Sequence, residues 1–242
     1  MPNWCYNEMT VTCEDDQEAM SQMEDFKRDS IVKKTHVEDD GTTREYEELT
    51  FKGVVPMPPE LEITSGSSVS DGILYLKAKD GDLSGINEYI KRDWTYKDEL
   101  WNNEPNESKL YEKSTPVKEK IRIAMEYLEE KLEVNDLTHA RTALENIKKH
   151  GAKDWYDWSI NNWGTKWDAS TQDIDEMDGN WLSIRFDTAW SPPEPWLQAV
   201  TEKYPLLDIM VRVTEESDAF MGYICCRNGK MEPTFAEPHY PH

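Results

Sequence analysis

Residues 181–213, WLSIRFDTAWSPPEPWLQAVTEKYPLLDIMVRV, contain the pattern that decides the fold. Apolar and polar residues alternate over 181–187, which predicts a half-buried β-strand. The apolar residues of 194–204 have helical spacing and lie between prolines, so a helix is predicted there. Alternation returns over 207–213 and predicts a second strand. Strand, helix and strand in such a short stretch indicate an α+β protein.

The flanking sequence extends this pattern on both sides. Residues 7–13 and 220–226 also alternate and predict two more strands, and Asn228-Gly229 is typical of a turn. The apolar residues of 16–30 have helical spacing, which predicts a helix. A further strand is predicted over 49–55, because an apolar run there ends at a group of prolines.

The middle of the chain predicts an insertion followed by two helices. Residues 62–115 contain serine- and glycine-rich stretches and few long apolar runs, so we expect an inserted segment there. Thr115 followed by Pro116 is typical of a helix start and predicts a helix over 116–134. A second helix, capped by Asn135 and ended by Gly151, is expected to form an antiparallel helical hairpin with the first.

These elements together predict an α+β fold with one mainly antiparallel sheet and helices on one face. We expect the helices at 116–134 and 194–204 to pack against that sheet. We also expect a single domain over 1–242, with 62–115 as an insertion within it. The strands expected to share the sheet are 9–13, 182–187, 207–213 and 220–226.

Four ordered phrases carry a resemblance to a known family. They are MPNWCYN (1–7), FKGVVPMPPEL (51–61), WYDWSINNWGTKWDA (155–169) and FDTAWSPPEPW (186–196). Together they resemble the YubB ferredoxin-like family, which is carried by bacterial plasmids and phages. The resemblance implies a split β-α-β arrangement on an antiparallel sheet, a ferredoxin-like fold that agrees with the pattern above. It does not imply an enzyme.

The chain is strongly acidic, and its acids are unevenly distributed. Its 49 acidic and 27 basic residues give a net charge of −22. Thirteen acids and five bases lie in residues 14–48, and nine acids and two bases in 154–196. Such a field repels phosphate backbones and anionic membranes but attracts basic surfaces. We therefore expect a protein partner with a basic surface, without direct nucleic-acid or membrane binding. The alternative is that the charge serves solubility.

Seven of the ten tryptophans lie between Trp155 and Trp196. Because a buried aromatic side chain removes ~150–250 Å² from solvent, this group is either the packing centre of the fold or an aromatic binding surface. A packing centre requires Trp163 and Trp190 to be largely buried, with no open cleft between them. A binding surface would be a cleft able to stack a base or another ring. The candidate cleft residues are Trp155, Trp158, Trp163, Lys166, Trp167, Asp187 and Trp190.

A second candidate surface lies in the polar segment 31–48, for which a loop or hairpin is expected. Six of its acids have no evident role in the fold, and we expect them to be exposed and to contact the partner. These residues are Glu38, Asp39, Asp40, Glu45, Glu47 and Glu48. Neutralising the first three is expected to slow association with a basic partner and to leave the fold intact.

The sequence contains no catalytic or cofactor-binding motif. A nucleophile elbow, a Walker A loop, a dinucleotide fingerprint and H-E-x-x-H are all absent. The acids of 168–178 do not fit EF-hand spacing, and a solvated loop is the preferred interpretation of them. The four cysteines form no C-x-x-C, which favours reduced thiols and a cytoplasmic location in a bacterial host. We therefore expect no catalytic residues, metal or cofactor.

Two functional hypotheses follow. The first is a non-enzymatic acidic interaction protein of a phage or plasmid, which binds and inhibits a basic, nucleic-acid-handling defence protein of the host. The second is a protein that binds or sequesters a small molecule or nucleotide in the tryptophan-lined cleft. Salt dependence separates them, because electrostatic association weakens with salt and aromatic stacking hardly changes.

Overall fold

Two antiparallel sheets organise the computed structural model, which describes residues 3–38, 40–91, 115–177 and 179–236. The strands of the described chain are β1 (Trp4–Thr12), β2 (Ile31–Val37), β3 (Thr43–Leu49), β4 (Ser170–Met177), β5 (Trp181–Ala189), β6 (Asp208–Glu215), β7 (Met221–Arg227) and β8 (Lys230–Ala236). The helices are α1 (Gln17–Ser30), α2 (Ser67–Lys79), α3 (Ser84–Lys91), α4 (Val117–Lys131), α5 (Val134–His150), α6 (Trp155–Asn162) and α7 (Glu194–Lys203). None of these helices is both long and apolar enough to cross a membrane.

The main sheet has ferredoxin-like topology. Its strand order is β4-β5-β1-β6-β7-β8, and every neighbouring pair is antiparallel. Six elements form a β-α-β-β-α-β series in which β1 lies between β5 and β6 in the sheet. In chain order they are β1, α1, β4, β5, α7 and β6. The strands β7 and β8 extend this sheet, and β2 and β3 form a separate hairpin. The ferredoxin-like α+β fold expected from the sequence is therefore confirmed.

Alternation of buried and exposed residues explains the sheet. Odd-numbered residues of β1 from Cys5 to Val11 are buried, and the even-numbered ones lie on the open face. The same period of two buries the apolar residues of β5 and β6, and it separates exposed Cys225 from buried Cys226 on β7. The four strands expected from this pattern lie in one sheet, as predicted.

The ends of α1 and α7 are tied together beside the sheet. The rings of Phe26 and Tyr204 meet edge to face, with their centroids 5.8 Å apart. The Asp29 carboxylate accepts hydrogen bonds from Lys203 Nζ at 2.8 Å and from the Tyr204 hydroxyl at 2.6 Å. A Cβ at Gly53 would lie 1.6 Å from the Asp29 carbonyl oxygen, so only glycine fits there. This junction fixes the segment after β3 against the end of α1.

Two secondary-structure predictions in the sheet region were wrong. The segment expected as a strand over 49–55 turns instead, because Val54 N and Val55 N both donate to Phe51 O. The acids of 168–178 were interpreted as a loop, but residues 170–177 form the edge strand β4. A bulge between Thr171 and Asp173 interrupts the alternation of β4, which explains why the sequence pattern did not reveal this strand. The edge strand β8 was also not anticipated.

The chain separates into two compact units. One, the ferredoxin-like unit, contains Met1–Pro58 and Tyr156–His242, and the other, the helical unit, is Pro59–Trp155. The expected insertion 62–115 lies within the helical unit, although residues 92–114 are outside the described chain. The helix predicted over 116–134 is α4, which belongs to the helical unit and packs there against α2 and α3.

The helical unit has its own core. Among the described helices of this unit, α2 and α5 pack most extensively, and Gly72 allows their close approach at Ala140. The helix α5 therefore packs mainly along α2 rather than along α4, which was its expected partner. The helices α3 and α4 meet around Ile86 and Leu128, both fully buried.

The two helix starts in this unit differ from their prediction. Neither Thr115 nor Asn135 is the cap: α4 begins after Pro116, and α5 begins after Glu133. Glu133 and Asp136 form a reciprocal capping box, which satisfies two backbone N–H groups. The helix therefore begins after Glu133 and is not capped by Asn135. Gly151 ends α5 in the left-handed conformation, as expected.

The Asp29 junction generates a prediction for stability. Hydrogen bonds from Lys203 and Tyr204 lower the pKa of Asp29 from 3.8 to about 2. A depressed carboxylate pKa stabilises the fold fully above pH 3.8, and this contribution is lost as the pH falls through 2. Asp29→Asn is expected to lower the free energy of unfolding by about 1–2 kcal/mol at neutral pH, since the group is partly exposed.

Denaturation of both proteins at a series of pH values from 7 down to 2 measures this contribution. The difference between them should be largest near neutrality and shrink below pH 4. Asp25→Asn is the matched control, because the Asp25 carboxylate pairs with the exposed side chain of Arg28 and does not bond to Lys203 or Tyr204. A difference of the same size for both variants at every pH would contradict the assigned role of Asp29.

Candidate functional site

Part of the tryptophan group lies in the core of the ferredoxin-like unit. Trp163 is 2% exposed, and its Nε1 donates to Val55 O at 2.9 Å. Its ring packs edge to face against Trp158 at 5.5 Å and against Phe51 at 5.9 Å between centroids. Phe51 also contacts Trp196, with the centroids 4.8 Å apart. These contacts make Trp158 and Trp163 packing residues.

A tight turn after Trp163 attaches the aromatic segment to the end of β5. Gly164 has φ +84°, and a Cβ at this position would lie 2.4 Å from Pro195 Cδ. The buried Thr165 hydroxyl donates to Ala189 O and accepts from Ala189 N, both at 3.0 Å. The Ser191 hydroxyl donates to Gly164 O. The phrases NWGT and AWSPP therefore form one hydrogen-bonded structure.

The remaining candidate cleft residues lie outside this core. Trp167 and Trp190 are 39% and 50% exposed, and Lys166 and Asp187 are half-buried. Lys166 Nζ lies 4.5 Å from the Trp167 ring centroid, in cation–π geometry. Trp155 is half-buried and falls in the helical unit. The structure thus places Trp163 in the core and Trp190 at the surface.

Trp190 has an unusual backbone. Its φ is +76°, a left-handed conformation that is rare for a bulky side chain. Trp190 N donates to Asn3 O at 2.9 Å, which holds this conformation in place. A half-exposed ring is thereby fixed at the end of β5, next to the start of β1.

The acidic segment forms the β2–β3 hairpin. Glu38, Asp40, Glu45 and Glu47 are exposed, Glu48 is half-buried, and Asp39 lies outside the described residues. Asp40 and Glu48 are among the acids that have structural partners which the sequence did not reveal. The Asp40 carboxylate accepts from Thr42 N at 2.9 Å and from its hydroxyl at 2.6 Å, which closes the turn and lowers the pKa of Asp40. Glu48 forms an ion pair with Lys34 across the hairpin.

Among the described acids of the hairpin, Glu38 and Glu45 have neither an ion pair nor a side-chain hydrogen bond. Glu47 lies 3.8 Å from Lys33 Nζ on the neighbouring strand. Glu38 and Glu45, by contrast, form no ion pair with any residue that the structure describes. These two carboxylates are therefore the ones most available to an external cation.

A groove separates this hairpin from β4. Its volume is about 480 Å³. The hairpin joins β4 at one end of the groove, where Leu49 N donates to the Thr171 hydroxyl at 2.8 Å and Phe51 N donates to Asp168 Oδ1 at 2.7 Å. The lining residues are His36, Glu38, Arg44, Glu45, Tyr46, Glu47, Thr171, Gln172, Asp173 and Ile174. This groove was not predicted, because one of its walls is β4 and the sequence pattern did not indicate a strand there.

Burial shifts the pKa of two further groups in the ferredoxin-like unit. Burial raises the pKa of Cys5 to about 12, which keeps its thiol protonated and unreactive. Burial also raises the pKa of Asp187, whose carboxylate accepts a hydrogen bond from Gln172. No three histidine, cysteine or acidic side chains come close enough to hold a metal ion within residues 3–38, 40–91, 115–177 and 179–236.

The C-terminal part of the chain is similar to a described family. Residues 166–239 match the family model for the ferredoxin-like domain in Api92-like protein. This segment contains β4 to β8 and α7. The crystal structure of protein api92 from Yersinia pseudotuberculosis aligns over 100% of both chains, with a TM-score of 0.39 and 12% identity. No curated protein matches the chain.

The aromatic core generates the second prediction. Trp163→Ala is expected to lower the free energy of unfolding by about 3–5 kcal/mol, because it removes a fully packed ring and its hydrogen bond. That loss corresponds to a decrease in melting temperature of about 6–20 °C. Trp190→Ala, at the half-exposed position, is expected to cost under about 1 kcal/mol. Differential scanning calorimetry compares the two, and similar small changes for both would contradict the division into core and surface tryptophans.

Proposed function

We propose that this protein is a non-enzymatic acidic interaction protein of a phage or plasmid. It binds a host protein with a basic surface that handles nucleic acid, and it inhibits that protein by covering the basic surface. The mobile-element context comes from the resemblance of the four sequence phrases to a family of plasmid and phage proteins. The main structural support is an acidic hairpin, β2–β3, whose exposed carboxylates Glu38 and Glu45 lack a basic partner in the described chain.

The negative charge is concentrated in the ferredoxin-like unit. Residues 1–58 and 156–242 contain 29 acidic and 12 basic residues, whereas 59–155 contains 20 and 15. If the charge served solubility alone, a similar acidic excess would be expected in both units. The unequal distribution therefore supports a steering role for the ferredoxin-like unit toward a positively charged partner.

The basic residues of this unit are largely engaged with its own acids. On the open face of the sheet, Arg185 pairs with Asp173, and Arg212 Nη1 lies 3.3 Å from Glu8 Oε2. The strand register places Glu8 opposite both arginines. These arginines are therefore neutralised, and the open face does not offer the free positive charge that a phosphate backbone requires.

A second candidate function is supported by the surface tryptophans. Trp190 is half exposed and held at φ +76°, and Trp167 carries Lys166 over its ring. Backbone strain at an exposed ring is a common feature of ligand sites. Under this alternative the protein binds a planar small molecule or a nucleotide at these rings. Titration with ATP, followed by tryptophan fluorescence, tests it through the loss of quenching in Trp190→Ala.

The interaction function generates a kinetic prediction. The partner is first captured from bacterial lysate at low salt with the full chain and is identified by mass spectrometry. Replacing Glu38 and Glu45 with glutamine is then expected to slow association with that partner about three- to tenfold at low salt, because electrostatic steering governs the association rate. The difference should shrink as ionic strength rises and the Debye length falls. Stopped-flow or surface-based kinetics across a salt series measures it.

Glu129→Gln combined with Glu130→Gln is the matched control. These exposed acids of α4 lie in the helical unit, and their replacement removes the same two charges. The control should change the association rate little. Equal rates for the wild type and both variants at every salt concentration would mean that the hairpin acids serve solubility alone. Failure to capture any basic protein would also contradict the proposal.

A further inference from the structure

We propose that the groove between β3 and β4 receives an extended basic segment of the partner as an additional β-strand. This inference rests on the proposed function and specifies the chemistry of the partner and its mode of binding. Three features of the groove support strand addition: two free strand edges, the direction of the backbone groups on β3, and the charge of the lining side chains.

Two strand edges line the same groove. Within the described chain, β3 pairs only with β2, and β4 pairs only with β5. The two strands come together where Leu49 N donates to the Thr171 hydroxyl at 2.8 Å. Farther from this junction, residues 44–47 and 171–174 lie on opposite sides of a volume of about 480 Å³. A strand placed there could hydrogen-bond to both edges.

The backbone direction of β3 follows from two hydrogen bonds. Leu49 N points toward β4, whereas Thr50 N points toward β2 and donates to Ser30 O at 2.7 Å. Backbone N–H and C=O groups alternate in direction along a strand. The main-chain groups of Glu47 and Glu45 therefore face away from β2, toward the groove. They are available to a pairing strand and make no contribution to the hairpin ladder.

The far edge of the main sheet is built differently. The edge strand β8 carries Pro233, which cannot donate to a neighbouring strand, and it begins with Lys230. Proline and lysine are common means of blocking strand addition. Neither β3 (TREYEEL) nor β4 (STQDIDEM) contains a proline or a lysine. The edge of β3 thus lacks this protection, and that of β4 carries only the bulge between Thr171 and Asp173. The acids of both edges would repel a second copy of this acidic chain.

The lining side chains select a basic occupant. Glu38 and Glu45 contribute two carboxylates without an ion pair among the described residues, whereas Glu47 and Asp173 pair with Lys33 and Arg185, and Arg44 is the basic residue of the lining opposed to them. Each edge offers four residues, so the groove fits a segment of about four or five residues, ~13–17 Å long when extended. Lysine or arginine at alternate positions of that segment would meet the acids on one side.

The test uses an acetylated and amidated peptide of four Lys-Val repeats, with the full chain labelled for amide hydrogen exchange. Strand addition is expected to slow exchange of the Glu45 and Glu47 amides at least tenfold. The amides of Tyr46 and Glu48 point toward β2 and should change little, which makes them an internal control. A peptide with the same charge but N-methylated at alternate residues should give no such protection, because it cannot pair along its length.

Two variants at one position separate backbone pairing from charge. Glu47→Pro removes an N–H that faces the groove and leaves the hairpin ladder intact, which the exchange of Tyr46 and Glu48 verifies. It is expected to weaken peptide binding more than tenfold. Glu47→Gln removes only the charge and is expected to weaken binding less, with a loss that disappears at high salt.

The outcomes distinguish this inference from the function on which it rests. Unchanged exchange at Glu45 and Glu47 with bound peptide would overturn strand addition, as would equal binding by Glu47→Pro and Glu47→Gln or no binding at all. The proposed function would still stand in each case if the Glu38 and Glu45 variant slowed association with the captured partner. The converse result, protected amides without any effect of those acids on the partner, would overturn the proposed function alone.

Discussion

The packing of Phe51 is the contact on which the ferredoxin-like unit depends. This fully buried ring comes from the segment after the hairpin, and it touches Trp163, Phe186 and Trp196. It therefore joins the loop of the tryptophan phrase, the strand β5 and the helix α7 in one aromatic centre. Its backbone N–H is bound by Asp168 at the start of β4. A single residue thus fixes where β3 ends and how the hairpin meets the main sheet.

The position of the acidic hairpin follows from this contact. Because Phe51 and Asp168 anchor the end of β3, the hairpin lies beside β4 at the edge of the main sheet. Lysines of β2 neutralise the acids nearest the sheet, through Lys34 with Glu48 and Lys33 with Glu47. The acids nearer the tip, Glu38 and Glu45, have no such partner among the described residues. The aromatic core therefore positions the hairpin so that its uncompensated carboxylates lie next to a groove with two free strand edges.

The surface tryptophans are positioned by the same local structure as the buried ones. The turn that buries Trp163 is hydrogen-bonded to the residues on either side of Trp190, so buried and exposed tryptophans lie close together in the two joined phrases. Sequence spacing could not assign them, because helical or turn geometry allows every tryptophan of such a phrase to face either side. The assignment depended on the left-handed Gly164 and on the bonds of Thr165 to Ala189.

The sequence by itself determined the elements whose burial follows a regular period. The strands β1, β5, β6 and β7 and the helices α1 and α7 were predicted, because each carries an apolar face of period two or about 3.6. The ferredoxin-like arrangement, the acidic excess and the polar hairpin segment were also evident in the sequence. Only the tertiary structure showed β4, since its bulge breaks the period and Ile174 is the one strongly apolar residue before Met177. It also showed which acids of the hairpin are neutralised and that a groove lies beside them. The groove depends on contacts between residues more than one hundred positions apart, such as Leu49 with Thr171, and no local pattern encodes such pairs.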